Sequence, residues 1–107
     1  MKEIRKVYLS GKITGTDDYL ERFNLYANRL KAQGYTVIDP ARVNSNMPSD
    51  TTWNEYMKMA FTLLSQADTI YMMPGWEESH GATAELAFAW KYHKNIIFSE
   101  GLKDGEF

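Results

Sequence analysis

Four short apolar runs alternate with segments of helical periodicity along this chain, and that alternation restricts it to one fold class. Ile4 to Leu9, Tyr35 to Ile38, Thr69 to Met73 and Asn95 to Phe98 read as strands. After the first run, Leu20, Phe23, Ala27 and Leu30 recur at helical spacing, with Asp17 and Asp18 at the expected start and Gly34 at the stop. Thr16 is the expected cap of that helix. After the second run, Ala41 to Thr51 is rich in Asn, Ser, Pro and Asp and reads as a long loop. Thr52-Trp53-Asn54-Glu55 then fits a capping box, opening a helix that buries Tyr56, Met57, Ala60, Leu63, Leu64 and Ala67. A last helix, Ala82 to Tyr92, separates the third and fourth runs, and a polar tail, Gly101 to Phe107, follows the fourth. Strictly alternating strands and helices mean a parallel sheet covered on both faces. The expected fold is therefore α/β: a small three-layer, flavodoxin-like or half-Rossmann domain with four or five strands, spanning residues 1–107.

Composition removes whole classes of function. Net charge is −2 with both signs mixed along the chain, so neither a nucleic-acid polymer nor a membrane surface is an expected partner. No apolar run reaches the ~20 residues of a membrane span. The opening Met-Lys-Glu-Ile-Arg-Lys lacks the apolar core of a signal peptide, so a cytoplasmic location is expected. There are no cysteines, which excludes disulfides, thiolate metal sites and cysteine nucleophiles. Two histidines without His-x-x-x-His spacing make no dedicated metal site, and no cofactor is expected.

In open parallel sheets, ligands bind beyond the carboxyl ends of the strands. Three segments gather there: Ser10 to Gly15, Asp39 to Thr51 and Pro74 to Glu85. Glu85 stands on a helix that is apolar nearly all round, which implies a desolvated carboxyl with a raised pKa unless partners hold it ionised. It reads either as a group that carries chemistry or as a structural acid, bonded to a tyrosine or to the backbone or set at the exposed edge of the helix. Ser79 and Gly81 lie at the start of the same helix, where free amides favour an anion, although Ser79 also suits an ordinary N-cap. Ser10, Gly11, Lys12 and Gly15 belong to a glycine-containing turn that is neither a P-loop nor a Gly-x-Gly-x-x-Gly motif; it is a phosphate cradle or simply a tight βα turn. Asp39 ends the second strand, where an acid can accept bonds from ribose hydroxyls or merely make an Asp-Pro turn. Trp76 suits stacking on a base or folding over the domain edge, and His80 suits an acid/base role, a phosphate contact or a solvated turn. Asp68, at the opposite end of its strand, reads as structural.

Taken together, Val7-Tyr8-Leu9-Ser10-Gly11, Asp39-Pro40, Ala67-Asp68-Thr69-Ile70 and Ser79-x-Gly81-x-x-x-Glu85-x-x-x-Ala89 resemble the nucleoside 2-deoxyribosyltransferase-like superfamily. The run Pro74-Gly75-Trp76-Glu77-Glu78-Ser79-His80-Gly81-Ala82-Thr83-Ala84-Glu85 looks like the hallmark of a small phage and bacterial branch of it. The resemblance implies cleavage of the N-glycosidic bond of a 2′-deoxynucleoside or 2′-deoxynucleotide, by hydrolysis or by transfer of the sugar. It gives Glu85 the role of nucleophile and Tyr8 that of holding its carboxylate. Six residues before the glutamate, transferases of the superfamily carry a sugar-binding aspartate and the related nucleotide hydrolases a phosphate-binding serine; Ser79 here favours a nucleotide. Two departures matter. Ala60 stands where active relatives carry an aspartate, and Lys12 and Thr14 replace the serine and arginine of the hydrolases' first turn. The alternatives are a nucleotide-binding module without turnover and a glycohydrolase of NAD-like dinucleotides. Relatives assemble into homo-oligomers, so a homodimer or larger assembly is the implied state.

Overall fold

The computed structural model describes residues 5–13 and 15–99. Its elements run β1 (Lys6–Ser10), α1 (Tyr19–Ala32), β2 (Thr36–Ile38), α2 (Pro40–Ser45), α3 (Trp53–Ser65), β3 (Thr69–Met72), a single 3-10 turn (Trp76–Glu78), α4 (His80–Lys91) and β4 (Asn95–Phe98). The four strands are all parallel, in the order β2-β1-β3-β4. This is the expected α/β architecture. Ile4, Thr14 and the tail from Gly101 to Phe107 lie outside the described residues.

Strand alternation divides the core into two layers. Val7 and Leu9 of β1 and Tyr71 of β3 point to one face, where Met73, Phe23, Tyr26, Ala27 and Leu30 join them. Tyr8, Ile70 and Met72 point to the other, against Ala60, Leu64, Ala67, Ala82 and Ala89 of the α3–α4 layer. Both central strands are buried on both faces, which is why they read as continuous apolar runs. Asp68 ties their lower ends together: its carboxylate accepts from the Arg5 and Lys6 amides and from the Thr69 hydroxyl, the structural role read from its position.

Two local expectations are corrected. Thr16 does not cap α1; its amide and hydroxyl both donate to the Ile13 carbonyl, closing a turn, and the helix starts at Tyr19. The segment read as a loop from Ala41 to Thr51 contains a helix, α2. Asp39 is its N-cap, accepting from the Ala41 amide at 3.0 Å, and Pro40 occupies the first turn, where its missing N–H costs nothing. The capping box at Thr52 is present with both reciprocal bonds, Thr52 amide to Glu55 Oε1 at 2.8 Å and Glu55 amide to Thr52 Oγ1 at 3.2 Å. No helix among the described residues is long and apolar enough to cross a membrane.

Candidate active site

α1 covers one face of the sheet and α3 and α4 the other, so the chain leaves β1 and β3 toward opposite sides and opens a crevice beyond their carboxyl ends. Glu85 points into this crevice from the second turn of α4. Ser79 starts that helix by accepting the Ala82 amide on Oγ at 3.1 Å, so the ordinary N-cap reading of Ser79 is realised. On β1, Tyr8 and Ser10 are two residues apart and therefore share the face turned toward α4. The Tyr8 hydroxyl donates to Glu85 Oε2 at 2.7 Å, and the Ser10 hydroxyl donates to Oε1 at 2.6 Å. All three side chains are buried.

The electrostatics follow from this burial. Desolvation raises the Glu85 carboxyl to about 7, against the pull of the Ser10 and Tyr8 hydrogen bonds, which favour the ionised form. Burial also raises the Tyr8 phenol well above its ordinary value, and the adjacent Glu85 charge adds to the effect. Tyr8 therefore stays a protonated donor. Each carboxylate oxygen takes one hydroxyl and keeps a second lone pair for other work.

Glu85 and Tyr8 lie at the base of a cavity of about 330 Å³, within the ~300–1,000 Å³ of small-molecule sites. The β1–α1 turn contributes Gly11, Lys12 and Ile13; α3 contributes a wall of Trp53, Tyr56, Met57 and Ala60; and Glu78, Ser79, His80 and Gly81 form the side toward α4. Gly11 is closely approached here: a β-carbon would lie 3.2 Å from Met73 Cβ and 3.4 Å from the Phe23 ring, so those side chains would have to give way by a few tenths of an ångström. Gly81 sits under Met57, whose sulfur would lie 3.4 Å from an added β-carbon.

Of the residues singled out from sequence, Tyr8, Gly11, Lys12, Ser79, Gly81 and Glu85 line the cavity, and so does His80. Ser10 is beneath it as the second partner of Glu85. Gly15, Asp39 and Trp76 are not in the lining. Gly15 serves its turn with a φ of 81°. Asp39 caps α2, and its other oxygen is buried 3.8 Å from the Arg42 guanidinium; burial is the main reason its carboxyl is raised. The Trp76 ring packs on Phe98 at a centroid distance of 5.7 Å and against the α4-side core.

Trp53 and Tyr56 line the cavity although neither stands out in the sequence as a site residue. Trp53 is 53% exposed although it lines the cavity. A signal was present: a helix that leads back into a parallel strand starts at the sheet's carboxyl edge, so the first turn of α3 had to border the crevice. Among the described residues, no group of three or more His, Cys, Asp or Glu side chains could hold a metal ion.

The chain shares its fold with nucleoside 2-deoxyribosyltransferases. A 2-deoxyribosyltransferase from the psychrotolerant bacterium Bacillus psychrosaccharolyticus superimposes with a TM-score of 0.70 at 16% identity, over 92% of this chain and 75% of that one. The solution structure of BlsM, which has the same fold, superimposes with a TM-score of 0.67 at 21% identity, over 96% of this chain and 68% of that one. No curated protein matches the sequence. Residues 5–98 match the family described as Domain of unknown function (DUF4406), a stretch that holds the four described strands and the Glu85 helix, and the chain belongs to that family.

Proposed function

We propose that this protein breaks the N-glycosidic bond of a 2′-deoxynucleotide, with Glu85 as the nucleophile. The observation that carries this reading is a buried carboxylate at the base of a cavity, with one hydroxyl, from Tyr8 or Ser10, fixing each of its oxygens. A carboxylate so placed stabilises the oxocarbenium-like transition state and then bonds to the anomeric carbon. The C1′–N bond breaks as the Glu85 O–C1′ bond forms; its electron pair leaves with the base, which takes up a proton. Water, or a second base, then displaces Glu85 from C1′. The Tyr8 and Ser10 hydroxyls keep the carboxylate aimed, and they keep enough of it ionised near neutral pH to attack. Trp53 and Tyr56 on α3 offer an aromatic wall for the base, and Lys12 with the first amides of α4 offers a place for a 5′-phosphate.

The test is a chromatographic screen of deoxynucleotides, ribonucleotides and nucleosides for base release, repeated with Glu85→Gln. Release that disappears in the folded variant is the expected result, and equal release by variant and parent rejects the assignment.

One observation favours a second reading, a nucleotide-binding module without turnover. Ala60 lies in the cavity wall beside Met57 and makes that wall apolar where the resemblance leads one to expect an acid. Calorimetric binding of a nucleotide with no base released over long incubation would select this reading.

A further inference from the structure

Among the described residues that line the cavity, Lys12 is the only lysine or arginine, and its ammonium does not face an open site. It lies 3.5 Å from Glu78 Oε1, so an ion pair joins the β1–α1 turn to the turn before α4 across the cavity. The two partners differ in how they are held. The carbonyl of Lys12 accepts a hydrogen bond from the Arg22 guanidinium, which is itself paired with Asp18 at 3.1 Å, so the backbone that carries Lys12 is anchored. Glu78 ends the 3-10 turn that follows Gly75, and its side chain is 69% exposed, so it can turn into water without disturbing any packed group.

We infer that Glu78 is a built-in competitor at the phosphate position of this cavity: its carboxylate holds the Lys12 ammonium until a ligand's phosphate displaces it, and so lowers the affinity for phosphate. This rests on the reading of the cavity as a nucleotide site. While the Lys12–Glu78 pair is closed, the charge of the cavity's one ammonium is offset by the Glu78 carboxylate and is not offered to an incoming anion. A phosphomonoester, with close to two negative charges and three acceptor oxygens, outcompetes a single solvated carboxylate for the ammonium. The contact broken is a half-exposed ion pair, which is weak, so displacement is easy for a dianion. An uncharged nucleoside has no reason to open the pair.

The experiment is a titration with inorganic phosphate, followed through the amide NMR signals of Ser79 and Gly81, and with deoxyadenosine and its 5′-monophosphate by calorimetry. Four proteins are compared with the parent: Glu78→Gln, Glu77→Gln, Lys12→Gln and the Glu78→Gln/Lys12→Gln pair. Glu77 is the control, since its substitution removes the same charge one residue away from a side chain outside the cavity lining. Glu78→Gln should tighten inorganic phosphate and the monophosphate about twofold to fivefold, the worth of an exposed ion pair, and leave deoxyadenosine unchanged. Glu77→Gln should match the parent, Lys12→Gln should weaken both phosphates, and the double variant should lose the gain. The inference is overturned if phosphate does not bind, if Glu78→Gln fails to tighten it, if Glu77→Gln tightens it equally, or if the gain survives without Lys12. Phosphate binding needs no glycosidic cleavage, so this outcome is independent of the base-release test on Glu85.

Discussion

Glu85 is balanced between burial, which pushes its carboxyl up to about 7, and two hydroxyl donors that pull it down. The balance makes each donor testable by itself. Ser10→Ala removes one of the bonds that favour the charged form, so the Glu85 pKa should rise further, and with it the acid limb of any base release. Carbon-detected NMR titration of the Glu85 carboxyl reads the shift directly, without needing substrate; a titration superimposable on the parent's would mean that Ser10 does not hold the carboxylate. At pH 8 the variant also leaves Oε1 without its partner, which should cost about 1–3 kcal/mol. At this scale the sequence was informative in part. A lone acid in an apolar helix singled out Glu85 from position alone, and resemblance supplied Tyr8. Read as the first residue of a glycine-containing turn, Ser10 suits a phosphate cradle or a plain βα turn, and neither reading sets it against Glu85. Ser10 is the last residue of β1, and the two-residue strand period then brings it onto the Tyr8 face, under Glu85.

At the scale of elements, α3 was legible from its start and α2 was not, for the same physical reason applied to different lengths. A capping box followed by 13 residues of helix gives a periodic apolar face that can be seen in sequence. The six residues of α2 make fewer than two turns and bury only Pro40 and Ala41, so periodicity has nothing to act on. What remained visible was the cap itself, Asp39 followed by Pro40, read there as a turn; the same two residues open a helix. The Thr52 box has a second consequence, because the turn it organises carries Trp53 and Tyr56, the aromatic wall of the cavity. Thr52→Ala should lower stability by about 1 kcal/mol, the usual worth of an N-cap, in urea denaturation. An unchanged midpoint would show that α3 is fixed by its packing on β3 and α4 and not by its start.

For the whole molecule, the strand order β2-β1-β3-β4 explains why residues from positions 8, 12, 53 and 85 meet: all lie on or beside elements that end or begin at one edge of the sheet. The same compactness makes Glu85 a term in global stability. Its carboxyl is near 7 when folded against 4.5 for an ordinary glutamate. The folded protein therefore binds more protons than the unfolded chain between those values, and stability falls as pH rises through that window. The group's contribution is fully present below about pH 4.5 and gone above about pH 7. Integrated over the window, the loss is at most about 3.5 kcal/mol, using ~1.4 kcal/mol per pH unit. Asp39, also raised by burial, acts in the same direction. Glu55 is lowered by its Thr52 bonds and acts in the opposite direction, below its ordinary value of 4.5. The Tyr8 and Tyr71 phenols are both raised and titrate above the range. Between pH 5 and 8 the parent should therefore lose stability while Glu85→Gln, which has no proton to release there and whose amide accepts from one hydroxyl and donates to the other, stays nearly level. Urea denaturation of both proteins at four pH values across that range decides the point. The curves should diverge toward alkaline pH with the variant the more stable, and parallel curves would show that Glu85 is charged at little cost inside the fold.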